Sequence, residues 1–501
     1  MKKLLSILLC LVLVISTLSG CKKDDGGTPA SDVTTPAPTT APAADEATPT
    51  ADASVPAQII NPDEKITISL GNWPEDTLTD QIAQFEGYVD KLHETYPNIE
   101  VVPAYYFYTP STFIPMAEAG NAPTMFQGYY SDTQTLAAAG LITDCTTSLK
   151  KRGWDQKVIP DVLALMSRDG KIYGFPRDGY AMGLDLNLEV FEAAGLMNAD
   201  GTAQYPKTWD ELAKTAQTIS QKTDSKGYEV LGNLEPAGWH FTIMAWNFGA
   251  EFITENADGS QTATVDCPEG IQAMEYLKSL KWDYDCINPD PLSDDWAAGH
   301  RNLGTGVVGM HMGATDAVNQ PTETNGLPVD KYSKVPLPAG PSGVSKTLFG
   351  GTPYLFAKEA TESQIDACLE FLYIMGRAPI VNDITSAGLM ADAQRRVDTG
   401  VPVLPPVRVF SDAEYNAEID RVNATYSNCD YDKYFKDFFD WTGKPGVAKF
   451  EYRNAQALYG ALYPVVQEVL TNKNADVTAL MKKADADTQA ALDIANSSAA
   501  K

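Results

Sequence analysis

Basic charge is scarce in these 501 residues: 38 Lys and Arg stand against 66 Asp and Glu, a formal net charge of -28 at pH 7. Nucleic-acid binding draws its affinity from cations that displace condensed counterions. Outside the first 23 residues no run of Lys and Arg supplies such a stripe, so no nucleic-acid partner is expected. Histidine is rarer still, with only four, His93, His240, His300 and His311. None stands in His-x-x-x-His spacing, so a histidine-built catalytic zinc has little material and no metal or other cofactor is expected. There is no Gly-x-Ser-x-Gly elbow and no Cys-His arrangement suited to a nucleophile. Carboxylates abound, but with 66 of them a pair such as Glu75, Asp76 or Asp178 does not by itself specify glycoside hydrolysis. No enzyme is therefore expected, a tethered polysaccharide hydrolase or lyase being the weaker alternative. Asn256 to Ser260 lacks the acid spacing of a calcium loop and reads as a turn.

What is present begins with Met1-Lys2-Lys3, an apolar run from Leu4 to Leu18, and then Leu18-Ser19-Gly20-Cys21. The run falls short of the roughly twenty residues that a membrane span requires and has the flanks of an export signal. Leu-Ser-Gly-Cys resembles the bacterial lipobox, which implies cleavage before Cys21 and acylation of its thiol. Acyl chains on Cys21 would fix the protein to the outer face of the cytoplasmic membrane. The following tract, Asp24 to Gln58, is rich in Thr, Pro, Ala and Asp and has no aromatic residue. Such a composition cannot offset its ordering entropy by burial, so it reads as a disordered tether. Extended at about 3 Å per residue it would reach on the order of 100 Å. Of seven cysteines, Cys145, Cys267, Cys286, Cys368 and Cys429 remain beyond this region. Five is odd, and buried small hydrophobes are as good a reading as a Cys267–Cys286 bridge.

From Lys65 the pattern becomes that of a folded body, and its length fits about three domain equivalents or two large lobes. Lys65 to Leu70 alternates as a half-buried strand, Gln81 to Tyr96 carries Ile82, Phe85, Val89 and Leu92 at helical spacing, and Ile99 to Pro103 gives a second strand. A short strand over 123–128 and a helix over 133–139 continue the alternation. Asp169 to Pro176 is a turn, a strand and a stop. Thr208 before Trp209-Asp210-Glu211 starts a helix with a cap and first-turn acids, and Gly270 to Lys281 is amphipathic. Strand and helix in alternation predict an α/β fold. No internal repeat is found.

Several strings then stand in a telling order. They are Asn98-Ile99-Glu100-Val101, Ala119-Gly120-Asn121-Ala122-Pro123, Gly140-Leu141-Ile142-Thr143-Asp144, Gly170 to Pro176, Pro206 to Leu212, Pro336 to Pro341, and the helix Ala367 to Met375. Together, from about Lys65 to Arg377, they resemble the family 1 extracellular solute-binding proteins, the sugar-type receptors of ABC importers similar to maltose-binding protein. The resemblance implies a two-lobed periplasmic-binding-protein type II fold with central sheets, a hinge and an interlobe ligand cleft. It also implies a carbohydrate ligand, an oligosaccharide by preference, and the transmembrane subunits of an ABC importer as partners, the protein acting as a monomer at the extracellular face. By analogy the first lobe takes 59–176 and 336–400, and the second takes 177–335 and 401–501, with crossings near Pro176 to Tyr180, Val335, and Thr399 to Pro402. A peptide or alditol-type ligand on the same fold is the alternative.

A sugar receptor needs flat aromatic faces for C–H surfaces and carboxylates, amides or Arg for hydroxyls. Trp73 with Glu75, and Gln127 with Tyr129, follow strands, where an α/β lobe places its binding loops. Arg177 and Asp178 stand at the first crossing, either serving hydroxyls or forming a hinge salt bridge. Trp239, in Glu235 to Trp239, resembles the segment that brings an aromatic into the family's cleft. Met312 occupies a place where members often carry Trp, and Gly351 would bring backbone amides near a ligand.

Overall fold

The computed structural model describes residues 59–499. The described residues fall in the larger of two units, Gln58–Lys501, and the export signal, Cys21 and the tether lie outside the described residues. Two sheets organise the larger unit. In chain order their strands are β1 (Ile66–Leu70), β2 (Ile99–Pro103), β3 (Met125–Gln127), β4 (Gly174–Pro176), β5 (Tyr180–Asn187) and β6 (Lys226–Tyr228). They continue with β7 (Val308–Ala314), β8 (Tyr332–Val335), β9 (Thr347–Gly350), β10 (Pro353–Phe356) and β11 (Ala448–Phe450).

The first sheet has the order β2-β1-β3-β10-β4. Strands β1, β2 and β3 run parallel, and β10 is antiparallel to both β3 and β4. Ile66, Ile68 and Leu70 are buried while Thr67 is exposed, the period of two that the sequence predicts for a strand with one covered face. Helices Thr79–Thr95 and Glu362–Ile374 pack beside it, with Phe85 and Tyr88 against Phe371. The second sheet has the order β11-β9-β5-β7-β6, with β8 also paired to β5. Every residue of β7 is buried, and so are seven of the eight in β5. Strands covered on both faces lose the alternation, as helices above and below demand.

Local signals placed several elements well. The Thr208 hydroxyl accepts a hydrogen bond from the Glu211 amide at 3.2 Å and caps helix Trp209–Lys222. Asp169 and Gly170 both take positive φ, 51° and 75°, which lets the chain reverse before β4. All five described cysteines are free thiols, so Cys267 and Cys286 are not bridged.

The lobe boundaries differ from the expectation at two places. Between Pro176 and Tyr180 the chain passes from the first sheet to the second, but it does not return near Val335. Strand β9 pairs antiparallel with β5 and parallel with β11, so 336–350 stays with the second sheet and the return falls at Gly351 and Thr352. Nor does 401–501 stay with one lobe. Val401 and Leu404 pack with Leu303, Val308 and Tyr332, whereas Val409, Phe410 and Tyr415 join the core of the first sheet. The Ile159 amide bonds the Val409 carbonyl at 2.9 Å. Phe438 and Trp441 then belong to the second core. Pairing across distant segments decides these boundaries, and no local pattern carries that information.

Candidate functional site

The segment between β4 and β5 is tied to the segment between β9 and β10 by backbone and side chain together. The Arg177 amide donates to the Thr352 carbonyl at 3.0 Å, and the Thr352 amide donates to Oδ1 of Asp178 at 3.1 Å. Arg177 Nε lies 2.7 Å from Oδ2 of Asp178, and its Nη1 donates to Oε1 of Gln127 at 2.7 Å. The Tyr130 hydroxyl donates to the Asp178 carbonyl at 2.9 Å. Arg177 and Asp178 thus form the hinge salt bridge that was one of their two expected roles, and Gln127 is drawn into the same network. Gly351 fits here because a Cβ would lie 2.3 Å from Cε2 of Tyr130 and 2.4 Å from the Asp178 carbonyl oxygen. A side chain at this position would hold the two crossings apart.

Around this floor stand rings from both lobes. Tyr129 meets Tyr108 edge to face at 5.1 Å, and the Tyr108 hydroxyl donates to Asp132 at 2.9 Å. From the second lobe comes Trp239, on helix Glu235–Phe248, edge to face with Tyr180 at 6.3 Å and with Trp296 at 5.3 Å. Trp239 is half-buried, and its indole Nε1 has no hydrogen-bond partner. Behind it His240, His300 and His311 pack on Trp296 and on one another, with His300 and His311 4.8 Å apart between ring centroids. Burial pushes His240 and His300 down to about 3, so these rings are neutral. Among the described residues no three His, Cys, Asp or Glu side chains gather as a metal-binding group.

Three carboxyls face this region. Burial raises Asp132 to about 6, against the lowering effect of the Tyr108 hydroxyl. Burial raises Glu451 to about 7; the Tyr459 hydroxyl opposes that rise and the charge of Asp132 adds to it. Asp316 keeps solvent-exposed surface but is hemmed in by protein, and desolvation followed by the charge of Asp178 pushes it up to about 7. A carboxyl poised near neutrality can both donate and accept, as hydroxyl-rich solutes require.

Other expected site residues stand apart. Trp73 is buried in the first core, edge to face with Phe85 at 5.4 Å. Glu75 is exposed, and its carbonyl accepts from the Leu78 amide in a surface turn. Met312 is fully buried at the centre of β7, paired in register with Leu184. Trp73 and Met312 turned to packing because neighbouring elements covered them, whereas Glu75 stayed at the surface.

Asp132, Trp296, Asp316 and Glu451 escaped the sequence reading. Asp316 lies two residues beyond β7 and Glu451 one beyond β11, so the strand-end rule applied to every strand would have found both. Strand β11 is only three residues long and gave no signal of its own.

The model of the family described as "Bacterial extracellular solute-binding protein" matches residues 82–390, more than half of the chain. A binding protein of Brucella abortus is 28% identical over 208 residues, which are 41% of this chain and 47% of that protein. The sn-glycerol-3-phosphate-binding periplasmic protein UgpB of Yersinia pestis is 27% identical over 175 residues, 33% of this chain and 37% of that one. The chain therefore spans less than half the length of these curated relatives. Among solved structures, a solute-binding protein of Thermotoga lettingae bound with α-D-tagatose superposes with a TM-score of 0.65 at 19% identity. That match covers 85% of this chain and all of that one. The maltose-bound MalE3 of T. maritima gives 0.63 at 17% identity, again over 85% of this chain and 100% of that chain. These likenesses establish the two-lobed α/β fold, and the relatives named are binding proteins rather than enzymes. Among the described residues no helix is long and apolar enough to cross a membrane. The protein belongs to the bacterial extracellular solute-binding proteins.

Proposed function

We propose that this protein captures a carbohydrate between its lobes at the outer face of the cytoplasmic membrane and delivers it to an ABC importer. Lipid on Cys21 moors it there, and 21–58 is the tether. The observation that carries the reading is the half-buried Trp239 beside Tyr180, set among the raised carboxyls Asp132, Asp316 and Glu451. Trp239 stacks on the C–H face of a sugar ring, and the carboxyls exchange hydrogen bonds with its hydroxyls. Tyr129 closes the first-lobe side. Arg177, Asp178, Gln127 and Gly351 hold the crossings in register, and Trp73, Glu75 and Met312 act only through the frame. The first lobe comprises 59–176, 353–398 and 407–419, and the second comprises 180–350 and 429–499. Closure of the lobes on the sugar gives the permease a shape to read, so recognition of the ligand and of the importer stay separate. An oligosaccharide is the preferred cargo. An alditol-type solute is the second reading, supported by the partial likeness to the glycerol-3-phosphate-binding protein.

Thermal-shift screening of the full-length protein in detergent against mono- and oligosaccharides tests this, because a ligand that binds only the folded state raises the melting temperature. At least one carbohydrate should raise it, and Trp239→Ala should weaken that binding tenfold or more. A panel without a hit overturns the carbohydrate reading. Equal binding by the variant removes Trp239 from the site. Mass spectrometry of the membrane fraction should find Cys21 acylated, and Cys21→Ala should release the protein.

A further inference from the structure

Beside the crossings lies a cavity of about 230 Å³, bounded among others by Arg177, Asp178, Asp316, Arg377, Asp392, Arg396 and Arg408. It is below the roughly 300–1,000 Å³ of ordinary small-molecule pockets. One charged group of a solute fits it; a whole oligosaccharide does not. Its charge runs against that of the chain. Within it Arg177 is matched by Asp178 at 2.7 Å, and Arg408 by Asp420 at 2.6 Å. Arg396 meets Asp392 at 2.9 Å. Arg377 keeps solvent-exposed surface, and alone among these guanidiniums it has no hydrogen bond or ion pair among the described residues; the groups facing it are Tyr88, Tyr354, Tyr415, Asp178 and Asp392. Asp392 is already shared, since burial that would raise its carboxyl is outweighed by Arg396, Arg377 and Arg395. One guanidinium is thus in surplus, in a protein of net charge -28. The third carboxylate on the cavity, Asp316, is pushed up to about 7 and carries only part of a charge near neutral pH.

We propose that this cavity takes the anionic group of the solute, a carboxylate or a phosphate, with Arg377 as its principal contact and Arg396 as its second. Resting on the proposed capture of a carbohydrate, the inference narrows the cargo to an acidic sugar whose neutral body lies toward Trp239 while its charged end reaches the cavity. Arg suits the task because its planar fork matches both anions in two-point contact.

The test uses the full-length protein and calorimetry with matched ligands: galactose, galacturonate and galactose 6-phosphate, their neutral and acidic oligomers, and the non-sugar anions glycerol 3-phosphate and citrate. An acidic sugar should bind at least tenfold more tightly than its neutral partner, and whichever of galacturonate or the phosphate prevails identifies the anion. Arg377→Gln should abolish that preference while leaving neutral-sugar binding within twofold, and Arg377→Lys should retain part of it. Arg396→Gln serves if the first variant does not fold. Equal binding of neutral and acidic partners by the wild type, or an unchanged ratio in the folded variants, overturns the inference and leaves the carbohydrate reading standing. Arg377-dependent binding of glycerol 3-phosphate or citrate without any sugar binding would do the reverse. Binding of none of these ligands overturns both.

Discussion

Thr135, in helix Tyr130–Ala138 of the first lobe, donates a hydrogen bond of 2.7 Å to Oδ1 of Asn454, at the start of helix Ala455–Thr471 in the second. The two residues are 319 positions apart in the chain. A direct polar contact across the lobes biases the open-closed equilibrium, and a net hydrogen bond is worth about 1 kcal/mol. Thr135→Val should therefore weaken solute binding by about fivefold while leaving the melting temperature of the free protein nearly unchanged. Small-angle scattering of the free protein should show a larger radius of gyration in the variant. An unchanged radius and affinity would mean that the contact does not bias closure.

The fully buried pair Asp185 and Lys334 sits between β5 and β8, where Tyr332 also donates to Asp185 at 2.8 Å. Lys334 further donates to the Gly313 carbonyl at 2.8 Å. Removing one partner leaves the other as a lone buried charge. Lys334→Met should cost about 3–5 kcal/mol in denaturant unfolding. The double variant Asp185→Leu with Lys334→Met should recover much of that loss, and its failure to do so would assign the cost to packing instead.

Asp132 and Glu451 have carboxyls raised to about 6 and about 7. A raised carboxyl binds its proton more tightly in the folded state than in the unfolded one, so stability falls as pH rises from about 4 through these values. The neutral histidines act oppositely: His240 and His300, lowered to about 3, favour folding above about 6.5 and lose that contribution as pH falls toward 3. Glu451→Gln should raise the melting temperature at pH 8 relative to the wild type and leave it little changed at pH 4.5. Parallel pH profiles for the two proteins would exclude Glu451 as the source.

Gly351→Ala tests how closely the crossings are packed. The added Cβ would fall 2.4 Å from the Asp178 carbonyl oxygen, a backbone atom with little room to retreat. Overpacking of this kind costs typically 1–3 kcal/mol. The melting temperature should drop, and solute affinity should drop with it, since Asp178 and Thr352 would separate. A variant as stable as the wild type would show that the crossings can spread freely.

How much was legible beforehand varied with the range of the interaction that decides each feature. Strand β2, predicted over Ile99 to Pro103, is found there, and the helix predicted over 270–281 lies within Pro268–Trp282, because period and caps are local. Arg177 and Asp178 were singled out from a crossing and Trp239 from a resemblance; the first two pair with each other at the crossing, and Trp239 lies half-buried beside Tyr180. Trp73, chosen for following a strand, and Met312, chosen from the resemblance, are both buried in cores. Whether a ring near a strand end faces a groove or an interior depends on which element covers it, and the covering elements come from elsewhere in the chain.

The sequence by itself determined the class of fold, the acidic net charge, and where along the chain the first sheet's early strands fall, since each depends on composition or on near neighbours. Only the tertiary structure decided that Thr347–Gly350 belongs to the second sheet, that Asp132 and Glu451 are close enough to feel one another's charge, and that Arg377 faces a cavity without a partner. The physical reason is the same for all three. Strand pairing, desolvation and charge balance are set by atoms brought together from residues hundreds of positions apart, and they come into being only when the chain has closed on itself.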